Sequence, residues 1–89
     1  MKEPYLEITF RHGRPLVAYL YLPREGNERS ARTEKAAPGL LVDYAADGRP
    51  LGLEITAPGE VSPSTINNVL GNLGFSAMPE ADLAPLKAA

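Results

Sequence analysis

The dipeptide Asp47-Gly48 lies between two short apolar runs, Leu40-Leu41-Val42-Asp43-Tyr44 and Leu51-Gly52-Leu53-Glu54-Ile55-Thr56. Asp-Gly between alternating hydrophobic segments is among the strongest short hairpin signals, because a two-residue type I′ turn needs positive φ at both central positions. Counting outward from such a turn pairs Ala46 with Arg49, Tyr44 with Leu51, Val42 with Leu53 and Leu40 with Ile55. Pro50 then faces Ala45. The apolar pairs share one face, and Asp43, Gly52 and Glu54 occupy the other, with Leu41 opposite Glu54. A chain holding this unit is built around an antiparallel sheet.

The same pattern recurs upstream. Tyr5-Leu6-Glu7-Ile8-Thr9-Phe10 alternates with period two, and Leu16–Leu22 is apolar on both faces. Between them, Arg11-His12-Gly13 reads as a turn. A two-residue His12-Gly13 turn would pair Thr9 with Leu16 and set Ile8 opposite Val17; the preferred three-residue loop, with Gly13 left-handed, pairs Ile8 with Leu16 and Leu6 with Ala18, and gathers Leu6, Ile8, Phe10, Leu16, Ala18, Leu20 and Leu22 on one face. Val17, Tyr19 and Tyr21 then need a cover of their own. The tetrapeptide Gly-Arg-Pro-Leu occurs at 13–16 and again at 48–51, and is read as one local need met twice rather than as an internal repeat. Residues 23–30 carry no apolar side chain beyond Pro23 and read as a solvated loop. A short strand is expected near Ala31–Lys35, and Ala37-Pro38-Gly39 as a turn.

After Ala57-Pro58-Gly59 the period changes. Ser62 and Pro63 open a helix, Ile66, Val69, Leu70 and Leu73 line one stripe of it, and Gly74 with Phe75 closes it. The face bearing Val17, Tyr19 and Tyr21 is the expected seat for that stripe, with Gly71 marking a close approach. Residues 79–86 are compatible with a further helical turn. The expected fold is α+β, a single domain over 1–89: a small antiparallel sheet of four to five strands, made of hairpins or a meander, over 5–56; one C-terminal helix over 62–74 packed on it; and a tail over 76–89.

Composition narrows the function. Nine prolines and eight glycines favour short elements over long helices. There is no cysteine, so thiol chemistry, disulfides and Cys-based zinc sites are excluded. Met1-Lys2-Glu3-Pro4 lacks the apolar core of a signal peptide, and no apolar run approaches a membrane span. The expected location is the cytoplasm. Residues 1–35 hold seven basic and five acidic side chains, and residues 36–89 two and six, an imbalance too small to imply nucleic acid or membrane as partner.

Chemistry-bearing residues are few. The only histidine, His12, sits between arginines in a turn, with neither a nucleophile nor an orienting acid nearby. Asp43 and Glu54 share the outer face of the 40–56 hairpin on a diagonal, so they are the candidates for binding a ligand or divalent cation, whereas Asp47 is required by the turn. Arg24, Arg29, Arg32 and Lys35 are interleaved with Glu25, Glu28 and Glu34, which cancels a phosphate-binding patch. Tyr19 and Tyr21 alternate as stacking aromatics do, but their strand carries no cation, and packing beneath the helix is the expectation. No phosphate loop, serine nucleophile motif or histidine metal spacing occurs. No catalytic residue, cofactor or metal ligand is assigned.

The stretch Pro38-Gly-Leu-Leu-Val-Asp43-Tyr-Ala-Ala-Asp47-Gly48-Arg-Pro-Leu-Gly52-Leu-Glu54-Ile55 resembles the signature of a family of small bacterial proteins, domain of unknown function 2283, and Ala18–Leu22 resembles its preceding strand. The first turn departs from the family, being basic (Arg11-His12-Gly13-Arg14) where the family is usually acidic. The resemblance implies no established activity. The position of some members beside toxin-like genes implies a partner-binding, antitoxin-like role. The expected function is thus a small non-enzymatic protein-interaction module, self-associating as a homodimer or binding a neighbouring-gene product. The alternative is a small-ligand or divalent-metal binder using Asp43 and Glu54.

Overall fold

The computed structural model describes residues 3–24 and 28–87. Part of the solvated loop expected over 23–30 therefore lies outside the described residues, as do Met1, Lys2 and the last two residues of the tail. Five strands form: β1 (Tyr5–Arg11), β2 (Arg14–Tyr21), β3 (Arg32–Ala37), β4 (Leu40–Tyr44) and β5 (Pro50–Ile55). They make one antiparallel sheet in the order β1-β2-β5-β4-β3. The sheet is not a plain meander. β2 pairs with β5, and the chain between β2 and β3 crosses to the far edge.

The two principal hairpins exchange the turn types expected of them. The first has the two-residue turn, with Arg11 paired to Arg14 and positive φ at both His12 (53°) and Gly13 (77°). The second has a three-residue loop. Gly48 N–H donates to Ala45 O at 2.9 Å and Ala45 N–H to Arg49 O at 2.8 Å, and within the loop only Gly48 (φ 92°) is left-handed. Asp47 avoids positive φ because its carboxylate accepts the Arg49 backbone N–H at 3.1 Å, a local bond that suits a type I turn.

Each hairpin then takes up an extra residue at the same place. Phe10 pairs with Pro15 and Thr9 with Val17, leaving Leu16 as the bulge. Tyr44 pairs with Pro50 and Asp43 with Gly52, leaving Leu51 as the bulge. The two Gly-Arg-Pro-Leu segments thus fold alike: a left-handed Gly, a paired Arg, a Pro beside the bulge, where its missing N–H is tolerated, and the bulged Leu. Turn lengths and bulges together set the registers. Ile8 meets Ala18 rather than Leu16, Leu6 meets Leu20 rather than Ala18, and Tyr44 meets Pro50 rather than Leu51. Below the second bulge, Val42–Leu53, Leu40–Ile55 and Leu41–Glu54 pair as expected.

Helix α1 (Pro63–Asn72) is capped by Ser62, whose Oγ accepts the Thr65 N–H at 3.1 Å. It closes with Phe75 N–H on Leu70 O at 2.9 Å and Gly74 N–H on Gly71 O at 3.1 Å, the Schellman pattern. Ile66, Val69 and Leu70 pack with Ala18, Leu20, Leu22, Leu40, Val42, Leu53 and Ile55. The helix therefore covers the leucine face of the sheet, not the face of Val17, Tyr19 and Tyr21. The leucine face offers branched side chains from three adjacent strands, whereas the other face is interrupted by Glu7, Asp43 and Glu54. Gly71 is exposed with open space around it, so it marks no close approach.

The C-terminal helix is also not alone. A 3-10 turn (Pro58–Glu60), α2 (Glu80–Leu83) and a further 3-10 turn (Ala84–Lys87) accompany it, and Leu83 and Leu86 are buried in the same core. Much of the expected tail is thus structural. The Asn67 side chain holds it down, accepting Met78 N–H at 2.8 Å and donating to Met78 O at 3.1 Å. No helix of the described residues is long and apolar enough to cross a membrane.

Candidate functional site

Because the helices occupy one side, the other side of the sheet is open. Alternation along each strand assigns it Tyr5, Glu7 and Thr9 from β1, Val17, Tyr19 and Tyr21 from β2, Gly52 and Glu54 from β5, and Asp43 from β4. Tyr19 and Tyr21, expected beneath the helix, are instead the aromatic centre of this open face.

One polar chain crosses it. The Tyr19 hydroxyl donates to Asp43 Oδ2 at 2.8 Å, and Thr33 of β3 donates to Asp43 Oδ1 at 2.5 Å. To reach from β2 to β4 the tyrosine ring must lie across β5, and Gly52 permits this. A Cβ at position 52 would stand 2.4 Å from the Tyr19 hydroxyl and 2.5 Å from the ring. Glycine in mid-strand is a sign of such close approach. Burial first, and then the hydrogen bond to Asp43 and its negative charge, push the Tyr19 hydroxyl well above the ordinary tyrosine range, so it remains a protonated donor.

A second aromatic group flanks the chain. The Tyr5 and Tyr21 rings stack at 4.5 Å, Tyr19 is tilted against Tyr21 at 4.7 Å, and Tyr21 donates a long bond of 3.3 Å to Glu7. Partial desolvation and the neighbouring Glu7 carboxylate raise the Tyr21 hydroxyl as well. Between these groups is a shallow depression of about 280 Å³, lined by Glu7, Thr9, Val17, Tyr19, Asp43 and Glu54.

Asp43 and Glu54 do meet on one face, as the hairpin register requires. Their situations differ. Both Asp43 oxygens are occupied by Tyr19 and Thr33, so Asp43 ties three strands together, whereas Glu54 is exposed at the rim of the depression. Among the described residues no three or more His, Asp or Glu side chains come together as a cation cage. His12 is exposed at the hairpin tip. Two of the cations expected to be cancelled by neighbouring glutamates are engaged: Arg24 lies 5.7 Å from the Tyr21 ring centre, and Arg32 lies 4.3 Å from that of Tyr44 while pairing with Glu34. Thr33 and the link from Tyr19 across Gly52 to Asp43 were not foreseen from the sequence, which set Gly52 beside Asp43 but Tyr19 under the helix; the available signal was the mid-strand glycine itself.

No curated protein and no solved structure matches the chain. Residues 17–57, which run from the first bulge past β5 and contain Tyr19, Thr33, Asp43 and Gly52, match the model of the family described as a protein of unknown function (DUF2283), and over that stretch the chain is similar to that family.

Proposed function

We propose that this chain is a small non-enzymatic interaction module that binds protein through its first hairpin, in the bacterial cytoplasm. One observation carries the reading. Among the described residues the large exposed hydrophobic side chains are Tyr5, Phe10, Leu16 and Val17, and all four stand on the β1–β2 hairpin. β5 pairs only with residues 18–21 of β2, so the hairpin beyond Val17 has no neighbouring strand on that side. An apolar cluster concentrated on one projecting element fits a partner surface, where scattered exposed residues would need no explanation. The partner is a second copy of the chain or a neighbouring-gene product, the latter making it antitoxin-like. Capture with tagged wild type and with the double variant Leu16→Ser/Val17→Ser tests the reading. A defined partner held by wild type and lost by the variant supports it; equal capture by both removes it.

A second reading, a small-ligand or divalent-cation site at Asp43 and Glu54, draws support from the depression that both residues line. The occupied oxygens of Asp43 weigh against it. Calorimetry with divalent ions on wild type and Asp43→Asn decides: heat in wild type that the variant lacks favours the site, and no heat in either eliminates it.

A further inference from the structure

The two edges of the sheet are built differently. β3 is guarded: Arg32, Glu34 and Lys35 stand along it and its pairing is irregular between Lys35 and Ala37. Charges and irregularities of this kind keep an edge from pairing with another chain. β1 has seven residues, no proline and no lysine, and strict alternation. The bulge of its hairpin is absorbed by β2 at Leu16, so β1 itself runs regularly to Arg11.

The hydrogen-bonding side of β1 can be read from its neighbours. Leu22 N–H donates to Leu51 O at 3.1 Å, so even-numbered residues of β2 bond toward β5 and odd-numbered ones toward β1. Tyr5, Glu7 and Thr9 lie opposite Tyr21, Tyr19 and Val17 and therefore bond inward. Leu6, Ile8 and Phe10 are left with their N–H and C=O groups directed at the open edge.

This edge is complementary to itself. With two copies antiparallel and a two-fold axis at Ile8, Ile8 faces Ile8, Leu6 faces Phe10, Glu7 faces Thr9 and Tyr5 faces Arg11. Leu6, Ile8 and Phe10 are the residues whose backbone groups point outward, so the Ile8–Ile8 pair and both Leu6–Phe10 pairs can bond, giving about six backbone hydrogen bonds. On the helix-covered side the join is wholly apolar, and it covers Phe10, which is 51% exposed. On the open side Arg11 of each copy comes over Tyr5 and within reach of Glu7 of the other, uniting opposite charges and a cation with an aromatic face. Moving the axis one residue to Glu7 would set two carboxylates face to face.

We propose that a second copy of this chain is the partner of β1, pairing edge to edge about Ile8 to make a continuous ten-stranded sheet with both helical layers on the same side. The proposal rests on the interaction reading above and names its occupant. Such an isologous contact closes on itself and leaves only the guarded β3 strands as edges.

The absence of native cysteine makes the test clean. Facing residues of a hydrogen-bonded antiparallel pair lie about 5.5 Å apart at Cα, inside the disulfide range of about 4.4–6.8 Å. Under mild oxidation Ile8→Cys is expected to form a covalent dimer. Leu6→Cys and Phe10→Cys alone should not, but a mixture of those two should cross-link. Light scattering on wild type should show a dimer whose fraction rises with concentration. Phe10→Pro, which removes an outward N–H, and Ile8→Lys, which puts two like charges on the axis, should each weaken it at least about tenfold while circular dichroism of the dilute monomer stays native. A wild type that remains monomeric at high concentration overturns the proposal, as does a dimer in which Ile8→Cys fails to cross-link or Leu6→Cys links to itself. If wild type is monomeric yet a foreign protein is captured through Leu16 and Val17, self-pairing falls and the interaction reading stands.

Discussion

Gly-Arg-Pro-Leu at 13–16 and at 48–51 adopts one backbone solution twice, yet the two copies have opposite fates. Leu51 is 1% exposed and Leu16 is 47% exposed. The next residue diverges too: Gly52 lies beneath the Tyr19 ring, while Val17 faces solvent. A tetrapeptide can therefore specify a turn and a bulge without specifying what the bulge is for. The second hairpin has two neighbouring strands and a helical layer beneath it. The first extends past β5 and, among the described residues, has no strand beside it on that side. One copy became part of the core, and the other stayed at the surface.

The sharpest break in the comparison is at the bulged leucines. Leu51→Ala should destabilise by about 2–5 kcal/mol, the range for emptying a buried leucine site. Leu16→Ala should stay within about 0.5 kcal/mol in the dilute monomer. Paired urea titrations measure both, and equal losses would mean that the hairpins are equivalent after all.

Next comes the residue after each tetrapeptide. Gly52→Val gives the second hairpin the first one's sequence and drives a side chain into the Tyr19 ring. Overpacking of this kind costs about 1–3 kcal/mol. In the double variant Gly52→Ala/Tyr19→Ala the clash disappears, so the two losses should fall short of additive; strict additivity would show that ring and glycine do not interact.

A smaller effect is expected at high pH. The Tyr19 hydroxyl is held above its unfolded value, first by burial and then by Asp43. A folded-state value above the unfolded one, about 10, favours the protonated native state. Its contribution is therefore complete below about pH 10 and is lost as pH rises beyond that. Denaturation midpoints between neutral and alkaline pH should fall more steeply in wild type than in Tyr19→Phe.

The smallest change is expected at the exposed Asp47, whose carboxyl is held below the ordinary carboxylate range, first by the Arg49 backbone N–H and then by its guanidinium. The sign is opposite to that of Tyr19: this contribution is present above the unfolded carboxylate value and is lost as pH falls. Asp47→Ala should lower the midpoint slightly at neutral pH, and the difference from wild type should vanish in acid.

How much of this was legible follows from where each signal resides. Period-two alternation located β1 and an apolar run β2, and Ser62, Pro63, Gly74 and Phe75 marked both ends of α1, because caps and pleats are local. Val42 meets Leu53 as expected because the longer loop and the bulge at Leu51 together restore the register of a two-residue turn. The bulges at Leu16 and Leu51 were not legible, since an extra residue leaves the alternation on either side intact and only shifts which partners meet. Leu83 and Leu86 read as a tail because two leucines on a short turn show no burial until a core receives them. Asp43 and Glu54 were legible as neighbours, but not their different roles.

The sequence by itself determined that there are two Gly-centred hairpins, an amphipathic helix capped at both ends, a chain without thiol chemistry, and a carboxylate pair on one hairpin face. Only the tertiary structure decided which face the helix covers, because β2 is apolar on both faces and its own pattern favours neither. That choice came from the strands beside it. β4 and β5 supply leucine, valine and isoleucine on one side, and Asp43, Gly52 and Glu54 on the other. Desolvating the carboxylates would cost far more than leaving tyrosines in water. With the helix on the leucine side, Tyr19 is free to cross Gly52 to Asp43, and β1 is left as an unguarded edge.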